Sequence, residues 1–374
     1  MATAQLIIAD SEKNADLYYA TRFLAPDPFI FAQAGGRRVV VMSDLELDRA
    51  KAQAKVDEVL SYAALSQAAK RRGIAEPKLA DVVDELLKPH AVKRIEVPFD
   101  FGVAHADGLR RLSYTVEPVP EPFFPERMVK SEEEIARLTE ALRITEEALA
   151  SAIELVRNSE AKPDGVLWIG GKPLTAELLR TAMHLTMMQR GCVAQHTIVA
   201  CGVQAVDPHN EGSGPLKAKE PIVMDVFPQH ATSRYFADIT RTVVRGKASE
   251  KVRRMFEAVK AGQELAFGMI KDGVDGSAVH NAILGSFERQ GFKTGEQGGR
   301  MQGFFHGTGH GVGLEIHEPP RVSGKPDILK AGMVVTVEPG LYYLDAGGMR
   351  IEDMVVVTRD GCRVLTEAPK VLEV

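Results

Sequence analysis

The chain has 374 residues, with 45% hydrophobic residues, 26% charged residues and a formal net charge of −5. At ~150 residues per domain this length predicts two domains, and a chain above ~300 residues buries roughly 75% of its unfolded surface. Mild acidity argues against nucleic acid as a partner, because neutralising phosphates needs a basic surface. No apolar run approaches the ~20 residues of a membrane span, and no basic segment leads into an apolar stretch at the N-terminus, so neither membrane contact nor a secretory signal is expected. Three cysteines, Cys192, Cys201 and Cys362, cannot build a disulfide framework, which points to a reducing cytoplasm.

In chain order, Leu6–Ala9, Arg38–Met42 and Lys93–Pro98 read as short strands. Leu45–Ala64 and Lys78–Leu87 read as helices between them. Such alternation predicts a small α/β domain, here without a phosphate-binding glycine loop or a cluster of acids and histidines. Pro118–Pro125 holds four prolines in eight residues and reads as an extended linker. Ser131 and Glu134 then form a capping-box signature. Apolar residues recur at Ile135, Leu138, Leu142, Leu149, Ile153 and Val156, the spacing of a long helix. The boundary therefore falls near residue 127, giving domains 1–126 and 127–374. Beyond it, Thr175–Met188 is expected to be helical and Thr197–Ala200 a strand. Pro221–Val226 and Tyr235–Val244 should form a hairpin. Ser249–Ile270 and Gly276–Gln290 should be helices, and Met333–Glu338 and Met349–Thr358 strands. The larger domain is thus α+β, with a mostly antiparallel sheet.

The strongest chemical signal is a set of carboxylates inside apolar β-runs: Asp225, Asp238, Glu338 and Glu352. Acids are poor strand formers and are rarely buried without a partner. One such acid is often a structural salt bridge. Four need four cations, and only Arg241 and Arg350 stand near. Two divalent cations would balance the charge, and the neutral imidazole of His310 would add a ligand. Carboxylate-rich sites suit Mn²⁺, while imidazole also admits Zn²⁺, Co²⁺ and Fe²⁺. Two metals held together by shared carboxylates can bind one hydroxide between them, which is hydrolytic chemistry.

The second signal is His306-Gly-Thr-Gly-His310-Gly-Val-Gly. Four glycines within seven residues oppose a helix at ~1 kcal/mol each, so extended backbone is expected. Period two would then put His306, Thr308 and His310 on one face. The bland alternative is a glycine-rich loop with solvent-facing histidines.

These strings resemble the pita-bread metallopeptidases, which include methionine aminopeptidase, aminopeptidase P and prolidase. Asp225, Asp238, His310, Glu338 and Glu352 match the five metal ligands in order, within Asp238-Ile-Thr-Arg-Thr, Val337-Glu338-Pro-Gly and Arg350-Ile-Glu352-Asp. Residues around Asn14-Ala-Asp-Leu-Tyr-Tyr are similar to a creatinase-type N-terminal domain, which favours the proline-peptide branch. The resemblance implies that Asp238 and Glu352 bridge two metals, that Asp225 holds one, and that His310 and Glu338 hold the other. It implies that Glu338 is the general base toward a bridging hydroxide, that His209 assists proton transfer and that His317 stabilises the oxyanion. His306 and Arg350, with His209, would bind a peptide whose second residue is proline. Asp225 and Asp238 stand thirteen apart, wider than in many relatives, but an even insertion keeps both on one side. Asp353, Glu315 and Glu318 are left as supporting or surface acids, and Cys201 as a small buried residue.

The expected activity is therefore a manganese-dependent Xaa-Pro aminopeptidase of the cytoplasm, a homodimer by family resemblance. The alternatives are an Xaa-Pro dipeptidase, a creatinase-like hydrolase that is not a peptidase, and a binding module with structural acids.

Overall fold

The computed structural model describes residues 2–374, which divide into two compact units with the boundary between Arg127 and Met128. The first unit is built on one mixed sheet. Its strands are β1 (Ala2–Ala9), β2 (Phe29–Ala34), β3 (Arg37–Met42), β4 (Glu58–Ser61), β5 (Val92–Pro98) and β6 (Thr115–Val119), in the order β4-β3-β2-β1-β5-β6. Alternate residues feed two separate cores, as the period of a strand requires. Leu6, Ile30, Val39 and Val41 pack with Val83, Leu86 and Leu109, while Ile7, Phe31, Val40 and Met42 pack with Leu17, Phe23 and Phe124.

Two expectations fail in this unit. Leu45–Ala64 is not one helix but α1 (Leu47–Gln53), β4 and the start of α2 (Tyr62–Arg71). Residues 58–61 instead pair in parallel with Val39–Met42, and the Ser61 hydroxyl caps the helix that follows. Sheet pairing outweighs a weak helical preference here. Pro118–Pro125 is not a free linker. Pro118 lies in β6, an edge strand that tolerates it. Phe123 and Phe124 are buried, and Asp16 accepts the Phe123 N–H at 3.2 Å and pairs with Arg127 at 2.8 Å.

The second unit opens with α3 (Glu132–Arg157), whose Ser131–Glu134 capping box is formed in both directions. Helix α4 (Ala176–Gln189) packs on it and is capped by Thr175. A three-stranded antiparallel sheet follows: β7 (Ile198–Cys201), β8 (Pro221–Val226) and β9 (Ile239–Val244), with β8 central. After α5 (Glu250–Met269) and α6 (Gly276–Arg289) comes a five-stranded antiparallel sheet. It comprises β10 (Gly309–Gly311), β11 (Glu318–Val322), β12 (Val334–Val337), β15 (Asp353–Val357) and β16 (Cys362–Val364), in the order β11-β10-β12-β15-β16. The hairpin β13 (Gly340–Tyr343) and β14 (Gly347–Arg350) lies between β12 and β15 in sequence.

Alternation along these strands defines two faces. Val335, Val337, Met349, Ile351, Val355 and Val357 pack with Val252, Phe256, Val259, Val279, Ile283 and Phe287 of α5 and α6. The residues between them face away from the helices, and these include Arg350 and Glu352. Met349–Thr358 is therefore not one continuous strand. It breaks at Ile351–Glu352, where the Glu352 N–H leaves its own sheet and donates to Thr240 O at 3.1 Å. Cys201 is only half-buried, and all three cysteines are free.

Candidate metal centre

Asp225 stands near the end of β8, opposite Thr240 of β9. Opposed residues share a face, and Asp238 lies two before Thr240, so its side chain returns to that face. Glu338 immediately follows β12, and its N–H donates to Thr308 O at 2.7 Å. Glu352 lies just before β15, and its Oε2 accepts the Thr240 hydroxyl at 2.8 Å. His310 is the middle residue of β10. That strand passes so close to β12 that a Cβ on Gly309 would lie 1.9 Å from Thr336 O. Glycine is thus required for the approach that aims His310 inward.

All these side chains line one cleft of about 590 Å³, together with His209, His306, His317, Arg350, Phe227 and Phe305. Every candidate residue named from sequence is in it. Thr308 is not. Its hydroxyl meets His280 Nδ1 of α6 at 3.0 Å, so the expected single face of His306, Thr308 and His310 holds only for the two histidines. Thr308 precedes the strand, which begins at Gly309, so its hydroxyl can turn to His280 on the helical side. A larger open groove around Lys251, Arg254, Phe292 and Tyr343 carries no comparable cluster.

Asp238, His310 and Glu352 each offer a ligand atom within 4.8 Å of the others, and all three are buried. The His310 Nδ1–H faces Gly311 O at 3.2 Å, which fixes the tautomer and leaves a lone pair on Nε2. That lone pair faces Asp238 Oδ2 at 3.6 Å and Glu338 Oε1 at 3.5 Å. With both carboxylates ionised, three acceptors converge with no donor between them. Burial, with the His317 charge adding to it, lowers the His310 pKa to about 3, so protonating the ring does not relieve the clash. Burial, then the Glu352 charge, pushes the Asp238 carboxyl well above the usual range, and burial, then Glu338, does the same to Glu352. Burial, with Asp225 adding to it, pushes Glu338 up to about 8. Asp225 Oδ1 is buried without a hydrogen-bond partner. Unpaired buried acids, an orphaned carboxylate oxygen and an imidazole lone pair aimed among them fit divalent cations.

Arg350 has a second task beyond its place in the cleft. Its guanidinium donates to Asp225 Oδ2 at 2.6 Å, to Tyr342 OH at 2.9 Å and to Thr240 Oγ1 at 3.1 Å. Tyr342 in turn meets His306 Nε2 at 2.9 Å, while His306 Nδ1 faces Gly307 O at 2.8 Å. The proton direction follows: Arg350 donates to Tyr342, Tyr342 donates to His306, and His306 donates to Gly307 O. Burial, reinforced by Arg350, lowers the His306 pKa to about 3 and keeps it neutral. Sequence reasoning missed Tyr342 and Thr240. The one signal for Tyr342 is Gly340 two residues earlier, where a Cβ would lie 2.5 Å from the Tyr342 hydroxyl. His317 stacks edge-on against His310 with ring centres 4.4 Å apart. Of the acids set aside, Asp353 pairs with Arg241 at 2.7 Å, and Glu318 pairs with the buried Lys130.

Comparison with known proteins bears on the family and the fold. The chain is 33% identical over 259 residues to the uncharacterized peptidase YqhT of Bacillus subtilis, covering 68% of this chain and 67% of that one. It is 32% identical over 248 residues to the Xaa-Pro dipeptidase of Pyrococcus furiosus, covering 66% and 65%. The chain thus spans about two thirds of the length of these relatives. Among solved structures, an X-Pro aminopeptidase from Thermotoga maritima MSB8 superposes with a TM-score of 0.81 at 25% identity, over 100% of this chain and 98% of that one. The prolidase from Pyrococcus furiosus shares the fold, with a TM-score of 0.78 at 24% identity over 98% and 97%. These likenesses make the α+β fold the pita-bread fold. The sequence profile of metallopeptidase family M24 matches residues 136–359, the stretch that carries every ligand candidate, and the chain belongs to that family.

Proposed function

We propose that this metallopeptidase hydrolyses the Xaa-Pro bond of dipeptides. The observation that carries the metal-dependent part of the reading is the His310 Nε2 lone pair set against Asp238 and Glu338 in a cleft with two further acids. The sequence motifs alone favour Xaa-Pro aminopeptidase action on longer peptides. The weight moves to dipeptides because the relatives at 32% identity that carry an activity in their names are Xaa-Pro dipeptidases. The aminopeptidase from Thermotoga maritima keeps the longer-peptide reading as the alternative.

Asp225, Asp238, His310, Glu338 and Glu352 would hold two divalent cations. When bound, such a pair supplies Lewis acidity and lowers the pKa of a water at neutral pH. The chain's own residues do the rest. Glu338 accepts the proton of the attacking water, a role suited to a carboxylate in contact with the reacting centre. His317, beside His310, hydrogen-bonds the scissile carbonyl oxygen as negative charge grows on it. His209 delivers the proton that the departing proline nitrogen requires. Neutral His306 and the cationic Arg350 line the proline side. The first unit is read as a creatinase-type domain. The native metal is read as Mn²⁺, with Zn²⁺, Co²⁺ and Fe²⁺ as substitutes, the assembly as a homodimer and the compartment as the cytoplasm. Among the described residues, no helix is long and apolar enough to cross a membrane.

The test is a substrate panel. Protein dialysed against chelator and reloaded with Mn²⁺ is assayed on Ala-Pro, Leu-Pro and longer Xaa-Pro peptides. Cleavage confined to dipeptides supports the reading, and efficient cleavage of longer peptides replaces it with the aminopeptidase. No hydrolysis under any divalent metal rejects both.

A further inference from the structure

Gln263 is the one fully buried polar side chain on the core face of α5. An amide in that position is costly unless its hydrogen bonds are made. Its Nε2 donates to Val337 O at 2.8 Å and to Ile351 O at 3.3 Å. Val337 and Ile351 immediately precede Glu338 and Glu352. Both carbonyls stand where the sheet gives out, since β12 ends at Val337 and residues 351–352 fall between β14 and β15. The N–H at the far side of each of these peptide bonds is also held. Glu338 N–H donates to Thr308 O at 2.7 Å, and Glu352 N–H to Thr240 O at 3.1 Å. Each peptide plane is pinned at both ends, and a single amide pins the carbonyl end of both.

The orientation of that amide is forced. Two carbonyl oxygens need its N–H groups, so Oε1 points away, and there it is buried without a hydrogen-bond partner. A methionine of similar shape would remove the orphaned oxygen but leave both carbonyls without this donor, so the glutamine is there for the two carbonyls it binds. What it supplies is a fixed relation between two backbone segments, each of which launches an acid into the cleft.

We propose that Gln263 is a positioning residue that sets the spacing and orientation of Glu338 and Glu352. The proposal rests on the reading that these acids hold divalent cations. It assigns to the helical face of the sheet, away from the cleft, the control of ligand geometry inside it. Supporting groups of this kind commonly change metal affinity tenfold to a hundredfold.

The experiment compares full-length wild type with Gln263→Met after chelator treatment. Mn²⁺ alone is titrated calorimetrically, and thermal unfolding is recorded with and without Mn²⁺. Mn²⁺ affinity is expected to fall at least about tenfold, and the metal-free midpoint to fall as well, because two buried carbonyls lose their donor. A merely structural clamp would lower the metal-free midpoint alone, with Mn²⁺ affinity within about twofold of wild type, which would overturn the proposal. Should Gln263→Met misfold, Gln263→Glu carries the test. Its buried, protonated carboxyl keeps one donor where two carbonyls need two, so a threefold or greater loss of affinity is expected, on the order of half the tenfold effect in free energy. No loss overturns the proposal. Wild type that binds no divalent cation would instead overturn the metal-centre reading itself.

Discussion

Replacing Gly309 with alanine should disable the site without touching a ligand. The added Cβ would lie 1.9 Å from Thr336 O and 3.0 Å from Thr336 Oγ1. Carbon and carbonyl oxygen do not approach within about 3 Å, so β10 and β12 must separate locally by about 1 Å. His310 hangs from the next residue, and its N–H donates to Thr336 Oγ1 at 3.2 Å. Glu338 follows β12 directly, so the same movement widens the 3.5 Å gap between His310 Nε2 and Glu338 Oε1. Overpacking of this kind costs ~1–3 kcal/mol, and a 1 Å misplacement of reacting groups costs ~10²-fold in rate. At ~2–4 °C per kcal/mol the melting temperature should fall by roughly 2–12 °C. The control is Gly307→Ala in the same motif, whose Cβ would meet nothing closer than Val322 O at 3.4 Å. Differential scanning calorimetry and Mn²⁺ titration of chelator-treated protein give both readouts. If Gly309→Ala matches Gly307→Ala in melting temperature and Mn²⁺ affinity, the close-approach account of this motif is wrong.

Three further outcomes are expected. In chelator, stability should fall as pH rises from 7 to 9. Glu338 keeps its proton to about pH 8 in the folded chain but ionises near 4.5 when unfolded, so its contribution is full below 4.5 and is lost through about 8. His306 and His310, lowered to about 3, contribute stability that is lost only as pH falls below 6.5, so they do not mask this window. Urea denaturation should show a loss of at least about 1 kcal/mol across the window, and a flat profile would refute the burial of an ionisable Glu338. Tyr342→Phe should lower kcat/KM on Ala-Pro by roughly ten- to a hundredfold, because it leaves Arg350 and His306 each short of a buried partner at ~1–3 kcal/mol; an unchanged kcat/KM would remove the relay from the mechanism. Metal titration should resolve two unequal binding events, with Asp225→Asn weakening the second and sparing the first; two equivalent sites in calorimetry would contradict this.

Much of the fold was legible because its signals are local. The capping box at Ser131 and Glu134, the helical periodicity to Val156 and the apolar strands around Asp225 depend on neighbours in sequence, and they fall where expected. The failures share one cause, a partner distant in sequence. Residues 58–61 are strand only because Val39–Met42 offers a parallel edge. The break at Ile351–Glu352 depends on Thr240, more than a hundred residues away, which takes the Glu352 N–H and donates its hydroxyl to the carboxylate. Thr308 leaves the expected face because His280 draws its hydroxyl to the helical side. The candidate acids were conspicuous because a charge in an apolar strand violates a local rule. Thr240, Tyr342 and Gln263 violate none that a single sequence displays, since threonine and tyrosine are ordinary strand residues and glutamine is an ordinary helix former.

The structure also alters the charge account. Counted from sequence, four carboxylates face two divalent cations and the assembly is neutral. In the folded chain Arg350 already stands 2.6 Å from Asp225, so one of the four acids has its cation before any metal arrives. The remaining three, Asp238, Glu338 and Glu352, have no lysine or arginine in salt-bridge contact among the described residues, and burial, with neighbouring carboxylate charge adding to it, pushes each of them upward in pKa. The two halves of the site are therefore unequal. The half nearest His310 is the more frustrated without a cation and gains most from one. The half nearest Asp225 must compete with a guanidinium for Oδ2, although the orphaned Oδ1 remains free to serve. That same guanidinium is tied through Tyr342 to His306 on the proposed proline side of the cleft. Loading of the Asp225 half and the shape of the substrate pocket are thus coupled through Arg350. A change that frees Arg350 from Asp225 should alter substrate affinity as well as metal affinity, even though Asp225 is not assigned to the proline side.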